Sequence, residues 1–464
     1  MQILKFVFSK IIKGKSIEVV LLGLSLFLVA NAANAEVLIQ PASDYKAAIV
    51  ANMDRATAFT FDFEGNYIVA KNIGLLATKN RAATNVFDVI KVHSDGTSQS
   101  LLDRTGQIIT NLSFYQGNVY VVSRGQIFKI AKGKLSDVIS SLPVYGDYAN
   151  GNVIFYGGYM YYAVGTATNS GIVGADNSWL STYPFFHDVP CAPVQLSGVS
   201  VETDNFLTAA KGAKATTGAF MPFNTPASAG QTIYGMSNCS GAVIKASPDG
   251  SQRQVYAWGL HNPKGLSVDD NGQLWVLDSG MEDRGVRPIK NGKDALYQIS
   301  QNTWYGWPDF SAGIPVDQRA VLSQTPNNPP QPQGVYDLNQ FKYLLVSPKK
   351  FSGNAIAQTA DDKLIELNLS DESISDFLTV KGAKIIQYKF GPDGKLYVLV
   401  DLQNGKTQLY SIENTKPAAV AGIVSTKSKN STTLNWMLGL ALAIFTGSAG
   451  FYVIKNLKRP IEPL

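Results

Sequence analysis

The chain is poor in charged residues, in cysteine and in histidine. Charged side chains make up 16% of its 464 residues, and much of the net charge of +5 comes from lysines near the two ends. The middle of the chain carries no basic stripe of the kind that follows a nucleic-acid backbone. We therefore expect no nucleic-acid partner. The hydrophobic share of 45% predicts instead a large folded core.

Long helical periodicity is nearly absent outside two apolar segments at the ends, which argues against an α/β fold. The first segment lies within residues 1–35, where four lysines precede an apolar run and the small residues Ala33-Asn34-Ala35. This order is typical of a signal peptide. The alternative is a signal anchor that is not cleaved.

The second apolar segment, residues 434–454, contains no charge and is long enough to span a bilayer as a helix. A buried core helix is the alternative. A short basic tail, residues 455–464, follows and is predicted to be cytoplasmic. Residues 414–433 are predicted to be a flexible linker. The sequence thus predicts an extracytoplasmic domain, residues 36–413, held at the membrane by a C-terminal transmembrane helix.

Only two cysteines occur, Cys191 and Cys239, and both lie in the part predicted to be exported. An oxidising compartment favours a disulfide between them. Such a bond would close an insertion that lacks strong strand patterning, residues 192–238. Two free thiols or a metal site are the alternatives, but no pair of histidines accompanies the cysteines.

A short pattern returns along the domain: an apolar strand, a tight turn that ends in glycine, and a second apolar strand. Five clear copies occupy residues 59–69, 112–122, 153–162, 265–276 and 388–398. Each tends to be followed by a further strand and a polar turn, and a repeated unit of about four short strands is what a β-propeller needs. A weaker sixth unit lies in residues 351–367. We therefore predict an all-β, six-bladed propeller.

Two long insertions interrupt the repeats, at residues 165–241 and 305–339. Loops of this length in a folded domain are usually lids or walls of a functional site. In a propeller we expect them to gather over one face and to shape its central depression. Surface loops without a role are the alternative.

The most specific text of the chain lies in its middle. It reads AWGLHNPKGL at residues 257–266, LWVLDSG at 274–280 and YGWP at 305–308. These phrases, in this order, resemble the glucose/sorbosone dehydrogenase family, whose soluble members are six-bladed propellers that use pyrroloquinoline quinone (PQQ) and calcium. The resemblance implies a PQQ-dependent oxidoreductase that oxidises a sugar or polyol hydroxyl. It also implies PQQ and Ca2+ as cofactors.

The resemblance implies a set of site residues. They are His187 as the general base, His261 and Asn262 at the cofactor, and Asp278, Glu282 and Asp283 as calcium ligands. The family has Arg where this chain has His261, and the last two blades, residues 341–412, contain no Arg. Because PQQ carries three carboxylates, an enzyme needs fixed positive charge around it. Lys349 and Lys350 are the replacements that the sequence offers.

These departures leave more than one function open. The alternative to a dehydrogenase is a propeller that binds carbohydrate or protein and has lost the cofactor site, because a fold does not fix a function. A propeller hydrolase of the lactonase kind would need a metal held by carboxylates at the central channel. The aromatic residues Trp258, Trp275, Tyr305 and Trp307 could pack within the blades or stack on a sugar.

Overall fold

Alternating apolar residues put this chain into short strands, as its repeats predict. The structure, a computed structural model, describes residues 39–78, 81–403 and 405–415. Two strands precede the first blade: β1 (Ile39–Pro41) and β2 (Tyr45–Asp54). Within the described ranges, the single helical segment is a 3-10 turn at Ser178–Ser181. The predicted all-β class is therefore confirmed.

Six sheets of four or five strands form the blades. Blade 1 contains β3 (Ala56–Phe61), β4 (Tyr67–Thr78), β5 (Arg81–Val92) and β6 (Ser98–Thr105). Blade 2 contains β7 (Asn111–Tyr115), β8 (Asn118–Ser123), β9 (Gln126–Ala131) and β10 (Lys134–Ile139). Blade 3 begins with β11 (Asn150–Tyr156) and β12 (Tyr159–Val164). An insertion with four small strands follows: β13 (Val194–Ser197), β14 (Ser200–Asp204), β15 (Lys214–Gly218) and β16 (Ala229–Ile233).

The remaining strands complete the ring. Blade 3 continues with β17 (Ala242–Ala246) and β18 (Gln254–Trp258). Blade 4 contains β19 (Asn262–Val268), β20 (Leu274–Ser279), β21 (Lys293–Ile299) and β25 (Gly334–Asp337). Three two-residue strands come between β21 and β25 in the chain. The first, β22 (Thr303–Trp304), pairs with β18 as the fifth strand of blade 3, and β23 (Phe310–Ser311) pairs with β24 (Ile314–Pro315). Blade 5 contains β26 (Phe341–Val346), β27 (Ala355–Thr359), β28 (Leu364–Leu367) and β29 (Ile374–Val380). Blade 6 contains β30 (Lys384–Phe390), β31 (Leu396–Asp401) and β32 (Lys406–Asn414).

Each blade buries both of its faces, which explains why its strands are apolar on both sides. In blade 1, Ala58 and Ile68 pack toward blade 2, whereas their neighbours Phe59 and Val69 pack toward blade 6. Successive side chains of a strand point to opposite faces, so one strand serves two interfaces. Hydrophobic clusters of this kind join all six pairs of neighbouring blades. The predicted six-bladed propeller is confirmed.

The repeated turn glycines are required by backbone geometry. Gly272 has φ of +79°, a conformation that L-residues other than glycine rarely adopt. In the same turn, Asp269 accepts hydrogen bonds on Oδ1 from the backbone N–H groups of Asn271 (2.8 Å) and Gln273 (2.9 Å). Aspartate and glycine thus close the β19–β20 hairpin, which gives the repeat its visible sequence signature.

The first and the last strands of the described residues close the ring. Strand β2 pairs with β32 and so becomes the outer strand of blade 6, while β1 pairs with β29 at the edge of blade 5. The inner strands of all six blades line a central channel that contains a cavity of about 420 Å³. The predicted signal segment, most of the linker, the transmembrane helix and the basic tail lie outside the described residues. Among the described residues, no helix combines the length and the apolar character that crossing a membrane requires.

Three details differ from the sequence expectations. The weak sixth unit is not the inner hairpin of a blade but the pair β27–β28, and the inner strand of that blade is β26. The insertion 165–241 contains two antiparallel strand pairs, the hairpin β14–β15 and the pair β13–β16 that encloses it in the sequence. The insertion 305–339 does not separate two blades, because β25 returns to pair with β21 inside blade 4.

Candidate functional site

Three loops meet over blades 3 and 4, and we call them the loop cap (residues 165–241, 280–292 and 305–333). Asn169 joins the first two, since its Oδ1 accepts the backbone N–H of Glu282 at 2.7 Å. The indole N–H of Trp307 donates to the carbonyl of Asn169 at 3.1 Å and so adds the third. The two insertions therefore gather together, as predicted, and they form the wall of a site.

A buried ion pair fastens the loop cap from inside. Arg287 donates from Nη2 to Oδ1 of Asp309 at 2.8 Å, and both side chains are buried. Asp309 also accepts the backbone N–H groups of Val321 and Leu322, each at 2.9 Å. Because a buried charge is stable only when it is paired and hydrogen-bonded, these contacts fix the three loops against one another.

His261 lies beneath the loop cap, immediately before β19, and only 2% of it is exposed. Its Nδ1 lies 2.7 Å from the carbonyl oxygen of Ser279, so Nδ1 carries the proton. Its Nε2 is then an acceptor, and it has no hydrogen-bond partner among the described residues. Burial lowers the pKa of His261 to about 4, and the imidazole is therefore neutral near pH 7.

Asp278 holds the same turn in place from the neighbouring strand β20. Its carboxylate accepts the backbone N–H groups of His261 (3.0 Å to Oδ2) and Asn262 (2.8 Å to Oδ1). Burial raises the pKa of Asp278 to about 7 despite these hydrogen bonds. Burial also raises the pKa of Asp294, whose Oδ1 accepts the hydroxyl of Ser279 at 2.8 Å. Lys264 of β19 is the cation beside these acids: its Nζ lies 4.0 Å from Oδ2 of Asp294, and burial lowers its pKa. The surroundings of His261 thus contain two buried acids and a lysine that faces them.

Arg284, in the β20–β21 loop, is a cation near this turn, and three carboxylates surround it. It donates to Asp147 at 2.7 Å, to Asp176 at 2.8 Å and to Glu282. It also donates to the hydroxyl of Tyr148 at 3.0 Å, and the Tyr148 ring lies 4.5 Å from the ring of His261. Burial alone would raise the pKa of Glu282, but the hydrogen bond and the charge of Arg284 lower it. The positive charge of Arg284 is therefore already neutralised.

A cleft of about 860 Å³ opens beside this ion cluster. We call it the Arg284 cleft. Its walls carry Tyr145, Trp179 and Tyr183 in addition to Asp147, Tyr148, Asp176, Glu282 and Arg284. Polar groups that are fixed in orientation lie here next to aromatic rings, which is the composition of a small-molecule site.

His187, the predicted general base, and its neighbour Asp188 lie in different surroundings. Asp188 is fully buried and accepts hydrogen bonds from the backbone of Ala167 (2.6 Å) and the hydroxyl of Thr168 (2.6 Å). Burial raises the pKa of Asp188 to about 6. The His187 ring is half-buried and its Nδ1 lies 2.8 Å from the carbonyl of its neighbour Phe185. In the described part of the chain no hydrogen bond links His187 to His261 or Asn262, so a catalytic role for His187 stays a prediction.

Lys349 and Lys350 do not lie with His261 and Asn262. Lys349 donates from its backbone N–H to Asp270 and from Nζ to Asn271, in the turn that follows β19. Asn262 begins that strand, and seven residues of strand span roughly 20 Å. One cofactor pocket cannot therefore include both ends, and the substitution of these lysines for the missing arginines is not supported by the geometry.

The three acids predicted to bind calcium differ in their partners and exposure. Asp278 holds backbone N–H groups, Glu282 pairs with Arg284, and Asp283 is exposed to solvent. Across residues 39–78, 81–403 and 405–415 no group of three or more His, Cys, Asp or Glu side chains is arranged to hold a metal ion. The structure therefore does not bring the three acids together in one group, and Ca2+ binding by them stays a prediction.

The predicted disulfide between Cys191 and Cys239 is present. Trp275, Tyr305 and Trp307 are buried, and Trp258 packs against a buried hydrophobic cluster, so these aromatics pack within the protein. The exposed rings of the Arg284 cleft were not predicted from the sequence. The signal that could have found them is the aromatic run NSWLSTYPFF at residues 177–186.

The comparisons with known proteins agree with this fold. The family model of glucose/sorbosone dehydrogenase matches residues 201–411. Over 182 residues the chain is 24% identical to the aldose sugar dehydrogenase YliI of Escherichia coli strain K12, a match that covers 36% of this chain and 46% of that protein. The chain thus spans about half the length of this curated relative.

Two solved structures are similar at 12% sequence identity. One is the PQQ-bound form of an aldose sugar dehydrogenase from Streptomyces coelicolor, where the likeness covers 81% of this chain and 100% of that one with a TM-score of 0.46. The other is the PQQ domain of a pyranose dehydrogenase from Coprinopsis cinerea, with 81% and 97% covered and a TM-score of 0.48. The protein is a six-bladed propeller. Its predicted resemblance to the glucose/sorbosone dehydrogenase family is confirmed.

The residues around His261 do not fit PQQ. A ligand with three carboxylates needs cations that are free to pair with it. His261 is neutral, and Arg284 is already bound by three carboxylates. Lys264 lies 4.0 Å from Asp294 and donates to Asn339 at 3.0 Å. Arg124 donates to the carbonyls of Val144 and Gly146. Lys342, at the mouth of the channel, pairs with Asp362 at 2.7 Å. Farther into the channel, burial lowers the pKa of Lys389 to about 7, which weakens its charge at neutral pH.

Proposed function

We propose that this protein is a carbohydrate-binding propeller that has the scaffold of the glucose/sorbosone dehydrogenases without their quinone site. The observation that carries the proposal is the neutralisation of Arg284 by Asp147, Asp176 and Glu282. A tricarboxylate placed here would meet more negative than positive charge, and like charges close together cost free energy. A neutral, hydroxyl-rich ligand would meet no such penalty.

The composition of the Arg284 cleft supports a carbohydrate as that ligand. Carboxylate and guanidinium groups offer acceptors and donors for sugar hydroxyls, and the exposed tyrosine rings offer flat apolar surfaces. The relative from Escherichia coli is described as acting on aldose sugars, which agrees with a sugar as the ligand class here.

Sugar oxidation is the second candidate function. It is favoured by the family match over residues 201–411 and by Asn262, which the chain retains at the position that the family uses for its cofactor. If this candidate holds, PQQ with Ca2+ supplies the redox chemistry and the protein is an oxidoreductase that acts on a sugar or polyol hydroxyl.

A dye-reduction assay separates the two candidates. The full-length protein in detergent is incubated with PQQ and Ca2+, and reduction of an artificial electron acceptor is followed with a panel of aldoses and polyols. The aldose sugar dehydrogenase of Escherichia coli, treated in the same way, is the positive control. We expect no reduction above the rate without protein. Reduction that depends on sugar and is lost in His187→Ala would establish the dehydrogenase instead.

We further propose that the propeller lies outside the cytoplasm and is held at the membrane by residues 434–454. The disulfide between Cys191 and Cys239 supports export, because such bonds persist in oxidising compartments. The signal-like residues 1–35 and the basic tail support the orientation. In cell fractionation, the full chain should resist alkaline extraction from membranes, and a chain that ends before residue 434 should be released. Extraction of the full chain would contradict the anchor.

A further inference from the structure

We propose that the carbohydrate binds in the Arg284 cleft itself, with the rings of Tyr145 and Tyr183 as its stacking surface, and that the cleft selects neutral over acidic glycans. This inference rests on the proposed function and assigns its ligand to a place. The place lies on the loop cap and not in the central channel. It depends on four observations, which concern the rings, the polar groups, their support and their charge.

The aromatic wall is exposed although it is made of large rings. Tyr145 is 50% exposed and Tyr183 is 40% exposed, and their ring centroids lie 4.8 Å apart. Phe186 packs edge-on against Tyr145, at 5.7 Å, and against Trp179, at 5.4 Å, and so supports the wall from one side. Clustered aromatic rings that stay open to solvent mark ligand surfaces, and flat rings suit the apolar faces of sugars.

The polar groups facing this wall are held in fixed orientations. Asp147 accepts on Oδ1 from the indole N–H of Trp179 at 2.8 Å, and on Oδ2 from Arg284 and from Asn177 at 3.0 Å. Asp176 binds another nitrogen of Arg284 at 2.8 Å. Each carboxylate keeps acceptor capacity beyond these bonds, because its two oxygens have about four lone-pair sites. Hydroxyl groups of a sugar can use that capacity without any rearrangement of the protein.

The segment that carries Trp179 and Tyr183 is fastened at both ends. On one side Asn177 accepts the backbone N–H of Gly174 at 2.9 Å and begins the 3-10 turn. On the other side the buried carboxylate of Asp188 and the disulfide at Cys191 anchor the chain. Binding groups that are ordered before the ligand arrives cost less entropy on binding.

The charge and the size of the cleft limit the class of ligand that it can bind. The carboxylates of Asp147, Asp176 and Glu282 outnumber the guanidinium groups of Arg124 and Arg284, which leaves one net negative charge. A uronic acid would be repelled, whereas a neutral sugar would not. The volume of about 860 Å³ lies near the upper end of the roughly 300–1,000 Å³ that small-molecule sites occupy, which suits an oligosaccharide.

Affinity electrophoresis of the full-length protein in detergent tests this assignment. Native gels contain dextran, laminarin or galactomannan as neutral glycans, or polygalacturonate as the acidic one. We expect at least one neutral glycan to retard the protein and polygalacturonate to leave its mobility unchanged. Tyr145→Ala and Tyr183→Ala should each weaken the retardation about tenfold, since each removes one stacking ring. Tyr145→Phe and Tyr183→Phe keep the ring and should retain most of the binding.

Tyr234→Ala is the matched control. Tyr234 lies on the insertion 165–241, as Tyr183 does, but it is 77% exposed and outside the cleft. Two results would overturn the assignment but leave carbohydrate binding intact. In the first, Tyr145→Ala and Tyr183→Ala both bind a neutral glycan as well as the wild type does. In the second, Tyr234→Ala loses as much affinity as these two variants. Preferred retardation by polygalacturonate would also overturn it. If none of the four glycans retards the protein, both this inference and the proposed function fail.

Discussion

The replacement of an arginine by His261 has a structural reason that extends beyond its charge. The imidazole is short enough to end inside the fold, with its Nδ1 on the carbonyl of Ser279 and its backbone N–H on Asp278. A buried imidazole without a carboxylate partner on its ring is kept neutral by desolvation. His261 therefore stabilises the turn as an uncharged residue and cannot replace the permanent charge of an arginine.

The first prediction concerns the pH dependence that this histidine causes. The pKa of His261 is lowered from 6.5 to about 4 in the folded protein, so the unfolded chain takes up a proton first as the pH falls. The native protein should lose about 3 kcal/mol of unfolding free energy from this group between pH 6.5 and pH 4. His261→Asn should not show this loss of unfolding free energy, because asparagine does not take up a proton. Urea denaturation at several pH values should show the variant gaining stability relative to wild type on acidification.

The variant Asp278→Asn tests the opposite pH dependence of the unfolding free energy. The pKa of Asp278 is raised from 3.8 to about 7, so its contribution is present at low pH and is lost as the pH rises through 7. The variant should therefore gain about 4 kcal/mol relative to wild type between pH 4 and pH 7. Stability differences that do not change with pH in either variant would show that neither group is desolvated as the structure has it.

At the scale of elements, the sequence predicted the hairpins whose contacts join residues close together in the chain. The hairpin β19–β20 is closed by residues from Asp269 to Gln273, all within five positions, and its pattern is visible without a structure. The insertion 165–241 could not be predicted in this way. Its ordering depends on remote partners, such as Asn169 with Glu282 and Leu196 with Leu322, which lie more than one hundred residues apart.

The same reason limits what the sequence could show of the site. Asp188 follows His187 in the sequence, but its role as an anchor depends on Ala167 and Thr168, some twenty residues earlier. The three carboxylates that surround Arg284 come from three separate loops, and no spacing rule connects them. Only the charge of Lys349 and Lys350 suggests them as replacements for the missing arginines, and the strand β19 separates them from His261.

The disulfide gives the second prediction. It joins residues 48 positions apart, and a loop of that length corresponds to about 4 kcal/mol in the chain-entropy model. The double substitution Cys191→Ser and Cys239→Ser should lower the Tm and admit proteases to residues 192–238 before the blades unfold. Dithiothreitol should have the same effect on wild type and none on the variant, because the chain has no other cysteine. Unchanged proteolysis would show that contacts other than the disulfide hold the insertion.

At the scale of the whole molecule, the ring is closed by strands from opposite ends of the chain. Tyr45 of β2 pairs with Asn414 of β32, across more than 360 residues. Neither strand carries a sequence signal for its partner, so closure became visible only in the structure. The pairing covers the outer edge of β32, and unpaired edges invite aggregation.

The third prediction tests this closure. A chain that starts at residue 55 lacks β1 and β2, whereas a chain that starts at Ile39 keeps both. Loss of β2 exposes one edge of β32 and part of the hydrophobic surface between blades 6 and 1. We expect the shorter chain to aggregate on size-exclusion chromatography and the longer one to elute as a folded species. Equal Tm values and equal elution would show that the ring does not need the strand.

The neutralised cluster at Arg284 is the centre of this account, and a calorimetric titration tests it most directly. PQQ is titrated with Ca2+ into the full-length protein and, in parallel, into a variant that combines Asp147→Asn, Asp176→Asn and Glu282→Gln. The account predicts no heat of binding for the wild type, and binding only where removal of the three carboxylates has freed the guanidinium of Arg284. Saturable, micromolar or tighter binding of PQQ by the wild-type protein would contradict it.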